Sequence, residues 1–191
     1  DGYAAHIGGA AGVCTQAHAS RWNGIPIGTI PHALIAVSGG DTTKATQRFA
    51  NHIKDVNVVA LVDFDNDCVW TSLAVARALG KKLWGVRLDT AGDMVDVSAS
   101  SPGVNPTLVR LVRRSLNDAG FTHVKILVSG GFTAEKVRLF EKEKTPVDGY
   151  GVGSALIHGS NDFTADIVLV NGKQLAKVGR MYKESRRMKG I

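Results

Sequence analysis

The chain has 191 residues, of which 44% are hydrophobic, enough for one domain or a large piece of a bigger one to bury a core. No run of 18 apolar residues and no signal peptide is present, which argues against a membrane partner. The formal charge of +6 would suggest nucleic acid, but from Lys173 onward seven basic residues face a single acidic one, Glu184, and carry the whole excess. A neutral body with a basic end is not a nucleic-acid domain; the end reads as solvated or as a contact with a neighbouring subunit. Cys14 and Cys68 lie far apart without a metal spacing, which fits a reducing, cytoplasmic setting. Asp1 opens the chain in mid-pattern, so we read it as a fragment of a longer protein.

Strand-like and helix-like segments alternate along the chain. The first apolar run, "GIPIGTIPH" over 24–32, predicts a strand, and a helix near 42–53 follows with Asp41 as N-cap. "NVVALVDF" (57–64) predicts the second strand, and the helix after it covers 68–79, closed by Gly80. "KLWGVRLD" (82–89) is the third. Its helix starts at Asn105-Pro106, a cap residue before proline, and ends at Gly120. In that helix Leu108, Leu111, Val112 and Leu116 share one face, so that face packs. "HVKILVSGG" (123–131) and "PVDGYGVGS" (146–154) are the last two strands, with a helix over 133–142 between them and another expected to start at Ser154.

Nearly continuous Val, Ile and Leu in these runs implies a parallel sheet covered on both faces, hence an α/β barrel or a doubly wound sheet. Around Asn171-Gly172 the rhythm changes to two β-rich runs about a hairpin turn. The expected division is 1–160 for the α/β portion and 161–191 for a C-terminal β-rich extension and basic tail.

In parallel βα proteins chemistry collects past the C-terminal ends of the strands, where loops and helix N-termini meet. Those positions hold His32; Asp63, Asp65 and Asp67; Arg87 and Asp89; Ser129, Gly130 and Gly131; and Gly151, Gly153 and Ser154. Each has a plainer reading. His32 is compatible with an ordinary loop histidine, and the aspartates with capping or turn residues, Asp67 above all because it directly precedes a helix. Arg87 and Asp89 point to the same side of a strand and could simply pair with each other; Lys125 could be a strand-surface charge. The glycine pairs could be tight turns. Two successive strands ending in glycine-rich turns, however, form the kind of floor on which backbone N–H groups reach a phosphate. With carboxylates and an arginine on the same rim, the set suits a phosphorylated sugar.

The segments "GTIPHALI", "VDFDND", "GVRLDT", "VKILVSGGF" and "VDGYGVGSAL", in this order, resemble nicotinate phosphoribosyltransferase, a type II phosphoribosyltransferase; "HIGGAAGVCT" and "AKVGRMY" extend the resemblance over nearly the whole chain. The resemblance implies an incomplete parallel α/β barrel and a reaction in which nicotinate displaces pyrophosphate from 5-phosphoribosyl-1-pyrophosphate. It further implies coupling to ATP through a phosphorylated histidine, matched by His32. Asp63 and Asp89 become catalytic carboxylates beside an oxocarbenium-like centre. Thr15, Arg87 and Asp65 become substrate contacts, and Ser129, Gly130, Gly131, Gly151, Gly153 and Ser154 the phosphate floor. Mg²⁺ would be held chiefly by substrate phosphates, with no protein ligand set assigned, and the longer protein would be a homodimer with its sites near the interface. The relatives carry an N-terminal domain and an arginine motif upstream of the segment that starts here at Asp1, and some of them an acidic residue in the stretch that reads Gly8-Gly9-Ala10-Ala11-Gly12 here. Alternatives are another type II enzyme, acting on quinolinate or nicotinamide, and a non-catalytic phosphosugar-binding module.

Overall fold

The computed structural model describes residues 2–157 and 165–184. Four strands, β1 (Val58–Leu61), β2 (Leu83–Leu88), β3 (Lys125–Val128) and β4 (Gly149–Tyr150), form one parallel sheet in the order β1-β2-β3-β4. Seven helices among the described residues are α1 (Gly2–Ile7), α2 (Gln16–Ala19), α3 (His32–Val37), α4 (Thr42–His52), α5 (Cys68–Leu79), α6 (Pro106–Asp118) and α7 (Ala134–Lys142). The last three connect successive strands. The strand order never reverses, so the crevice that marks a doubly wound sheet is absent among the described residues.

The caps are those the residue types dictate. Asp41, Asp67, Asn105 and Thr133 each accept a hydrogen bond from a backbone N–H of the turn they open, at Lys44, Trp70, Leu108 and Lys136. Pro106 fills the first position of α6, and Gly80 closes α5 at φ 54°.

Alternation along the strands sorts side chains into two cores. Val58 and Ala60 from β1 with Val62 just past its end, Val86 and Leu88 from β2, and Ile126 and Val128 from β3 pack with Val75, Leu108, Val112 and Leu116 of the helices. Leu61 takes the other face, with Ile30, Ile35, Ala45 and Phe64. Burial of these aliphatic side chains contributes on the order of 1.5–3 kcal/mol each, so both faces are strongly specified.

Two expectations need correction. Residues 24–31 form no strand; the segment meets the sheet at Ile30, whose N–H donates to the Val59 carbonyl at 3.3 Å, and Ile30 itself is fully buried. Prolines at 26 and 31 remove donors that a ladder would need, and Ile25 and Ile27 stay exposed. After Gly153 the chain makes only one 3₁₀ turn, Ser154–Leu156, in place of a helix. The expected hairpin is present: β5 (Leu169–Val170) pairs antiparallel with β6 (Lys173–Gln174) across Asn171 and Gly172, both at positive φ. The division at 160/161 and the basic residues Arg186, Arg187 and Lys189 lie outside the described residues.

Candidate functional site

The site is a register effect. Leu61, Arg87, Leu127 and Gly149 are neighbours across the four strands. Two residues further along each chain stand Asp63, Asp89, Ser129 and Gly151, on the same face because side-chain direction repeats every second residue. The ladder continues into this layer through Ser129 N–H to the Leu88 carbonyl (2.9 Å) and Gly151 N–H to the Val128 carbonyl (2.7 Å). One stratum at the strand tips therefore carries two carboxylates, a hydroxyl and bare backbone.

Asp63 is fully buried, and His32 Nε2 lies 3.0 Å from its Oδ1. His32 is the first residue of α3, after Pro31 in extended conformation, and its side chain is about one-fifth exposed. An ionised carboxylate only accepts, so the bond is assigned as Nε2–H donating to Asp63, and the lone pair is left on Nδ1. Asp63 Oδ2 meets the Lys177 ammonium at 2.6 Å. Burial pushes the Asp63 carboxyl up, but the hydrogen bond from His32, the charge of Lys177 and their further contacts outweigh it and hold the group below its ordinary value.

Asp89 Oδ1 accepts from the Ser129 hydroxyl at 2.6 Å, and its Oδ2 lies 3.6 Å from an Arg87 guanidinium nitrogen. The pairing of Arg87 with Asp89 seen in the alternation is thus real, yet it faces the site and leaves Arg87 Nε buried without a hydrogen-bond partner. Gly130 and Gly131 both adopt positive φ, 87° and 67°. A Cβ at Gly130 would sit 3.1 Å from the Thr90 carbonyl, and one at Gly151 would sit 3.0 Å from Ser129 Cβ. At Gly131 and Gly153 a Cβ would meet nothing within 4 Å, so space opens above the floor there. Lys136 closes the turn from below: its ammonium donates to the Gly130 carbonyl at 3.0 Å and lies 4.4 Å from the centre of the Phe132 ring.

Not every expected residue joins this constellation. Thr15 caps α2 in position but pairs its hydroxyl with His18 Nδ1 at 3.1 Å. Asp65 is exposed, and burial followed by the charges of Asp67 and Asp41 pushes its carboxyl up. Ser154 is exposed at the start of its 3₁₀ turn.

Sequence reasoning missed Lys177. It assigned this residue to a solvated basic end, whereas its side chain is 9% exposed, pairs with Asp63 and donates to the Asp89 carbonyl at 3.1 Å. The signal lay in "AKVGRMY", matched to the family but given no role.

No protein-family model matches the chain. Nicotinate phosphoribosyltransferase pncB1 of Mycobacterium tuberculosis is 33% identical over 95% of this chain and 39% of its own length. Nicotinate phosphoribosyltransferase of Bacillus subtilis is 29% identical over 81% of the chain and 29% of its own. The crystal structure of nicotinate-nucleotide pyrophosphorylase from Pyrococcus furiosus superposes with a TM-score of 0.71 at 38% identity, covering 95% of this chain and 44% of that one. The resemblance drawn from the motifs therefore holds across the chain, which spans less than half of these relatives.

Proposed function

We propose that this chain is the catalytic portion of a nicotinate phosphoribosyltransferase, forming nicotinate mononucleotide and pyrophosphate from nicotinate and 5-phosphoribosyl-1-pyrophosphate on the way to NAD, with ATP hydrolysis coupled through His32. The observation that carries the reading is the imidazole of His32 held by buried Asp63 in the same stratum as Asp89, Ser129 and the glycine turns. The likeness to proteins named for this activity supports it.

With Nε2–H committed to Asp63, Nδ1 is the nucleophile. Its lone pair forms the N–P bond to the terminal phosphorus of ATP while the bond to ADP breaks; hydrolysis later frees phosphate. In ribosyl transfer the C1–O bond to pyrophosphate breaks as the nicotinate nitrogen approaches, and positive charge develops at C1. Asp89, fixed by Ser129 and Arg87, supplies a preorganised carboxylate at that charge. Ser129, Gly130, Gly131, Gly151, Gly153 and Ser154 take the 5-phosphate, and Arg87 meets the anionic end of nicotinate or of the sugar. Thr15 and Asp65 are outlying substrate contacts.

Magnesium fits this site as part of the substrate and not as a resident ion. Both Asp63 oxygens are engaged, Asp89 Oδ1 is engaged, and an ammonium already stands among them. Mg²⁺ would come in on the phosphates, where it neutralises their charge. The unreversed sheet is read as the wall of an incomplete barrel, 1–160 as the catalytic portion and 161–191 as its extension, in a cytoplasmic homodimer. The free thiols of Cys14 and Cys68 agree with that compartment, and no described helix is long and apolar enough to cross a membrane.

Incubation with γ-labelled ATP should give an acid-labile label on this chain that His32→Ala abolishes; equal labelling of the variant would defeat the reading. Supplying nicotinate, quinolinate and nicotinamide in parallel identifies the base, and formation of quinolinate or nicotinamide mononucleotide alone would transfer the chain to that branch.

A further inference from the structure

His32, Asp63 and Asp89 each bring a possible ligand atom within 4.8 Å of the others, a spacing that would suit a divalent cation. One carboxylate of the group is already paired with a cation. Lys177 Nζ contacts Asp63 Oδ2 at 2.6 Å and the backbone carbonyl oxygen of Asp89 at 3.1 Å, while the Asp89 carboxylate meets Ser129 and Arg87, so a positive charge already stands on the Asp63 carboxylate and beside Asp89. We propose that Lys177 is the resident cation of this cluster: a positioning residue, delivered by the C-terminal hairpin, that occupies the place of a divalent metal and holds Asp63 in the orientation that presents Oδ1 to His32.

Three observations support a delivered cation over an incidental surface pair. The side chain is almost wholly buried, and an ammonium there must find anionic or carbonyl partners to offset its lost hydration. The backbone next to it is pinned to the site loop, with Val178 N–H donating to the Phe64 carbonyl at 3.0 Å. The hairpin is anchored by apolar contact, since Val170 and Leu175 pack on the core of Ile30, Ile35 and Phe64. Anchor, pin and ammonium lie within a few residues of one another, so the hairpin acts as a strap across the strand tips.

A tethered ammonium differs from a metal in a way that matters here. It balances Asp63 without withdrawing lone-pair density from the imidazole, as a coordinated divalent ion would if His32 were a ligand. The nitrogen that must attack phosphorus thus stays free beside a neutralised carboxylate, and Mg²⁺ is left to ride on the phosphates.

The test is Mn²⁺ binding to the full chain without nucleotide, followed by electron paramagnetic resonance. The wild type should show no Mn²⁺ site that depends on Asp63. Lys177→Met should gain one, about tenfold or more tighter than any wild-type binding and abolished by a further Asp63→Asn. Lys177→Arg should behave as the wild type. Leu175→Asp, which strips the anchor and keeps every cluster residue, should raise Mn²⁺ affinity in the same direction. An Asp63-dependent Mn²⁺ site in the wild type would overturn the proposal whatever the variants do, and so would a folded Lys177→Met that gains none. The measurement needs no substrate, so its failure leaves the His32 labelling test standing, and the converse holds.

Discussion

Asp63 and Lys177 form a buried ion pair at 2.6 Å between the first strand's tip and the hairpin strap. The second oxygen of Asp63 faces His32, so one carboxylate couples an imidazole to a cation from a distant part of the chain. Breaking a buried pair by removing one partner leaves the other charge uncompensated, which costs far more than the pair itself is worth. Asp63→Asn should lower the unfolding free energy by about 3–5 kcal/mol in urea denaturation. A loss below about 1 kcal/mol, the size of a surface pair, would show that Lys177 finds water in solution.

The same carboxylate sets an acid limb. Its folded pKa lies below the ordinary value of 3.8, because the contacts with His32 and Lys177 overcome burial. A depressed carboxylate contributes stability that is complete above the unfolded value and is lost as pH falls through the folded one. Unfolding free energy measured across that acid interval should decline with pH more steeply in the wild type than in Asp63→Asn. Parallel slopes would locate the acid lability in other carboxylates.

Two glycine substitutions separate folding from binding. Gly130 sits at φ 87° with a carbonyl 3.1 Å from where a Cβ would lie, so Gly130→Ala should cost about 1–3 kcal/mol of stability. Gly153 has φ −122° and open space around it, so Gly153→Val should leave the melting temperature nearly unchanged. If the open space is where the 5-phosphate goes, that variant should still weaken binding of 5-phosphoribosyl-1-pyrophosphate, read by calorimetry, at least about tenfold. Unchanged affinity would remove Gly153 from the phosphate floor.

Much of this site was legible in the sequence because it rests on two local signals, the ends of apolar runs and the residue types that open helices. Strand ends located Asp63, Asp89 and Ser129, and the residue types at 41, 67 and 105 announced caps that all form, whereas Thr133, expected as the first helical residue, is itself the cap of its helix. What escaped was non-local. Asp96 accepts a hydrogen bond from the Cys68 N–H at 2.8 Å from a loop 28 residues away, and Lys177 reaches Asp63 from beyond a hairpin. Neither contact leaves a trace in local pattern. The strand expected over 24–32 failed for the opposite reason: its apolar content was sufficient, but a missing partner strand and two prolines decided against a ladder.

Tyr150 provides an optical probe of the packing beneath the glycine turns. Its hydroxyl donates to Glu141 Oε1 at 2.6 Å, and its ring lies 5.5 Å from Phe132, the residue after Gly131. Burial, then the hydrogen bond and charge of Glu141, push the phenol up to about 12. Absorbance titration should show one of the three tyrosines ionising late, near that value, and Glu141→Gln should return it toward 10.0. Because the protonated phenol is favoured in the fold, its contribution to stability is complete below the ordinary value and fades as pH climbs toward 12. Three tyrosines ionising together would show that the contact opens in solution.

The position of the strap has a consequence for biosynthesis. A ribosome reaches the codon for Lys177 only after every other group of the site has been made, so a nascent chain holds the imidazole and its aspartate before it holds their ammonium. In that interval Asp63 has no buried partner charge, and its burial is unfavourable. Products halted before residue 177 should accordingly be open at the strand tips and prone to proteolysis, which limited digestion of chains truncated before Lys177 would read.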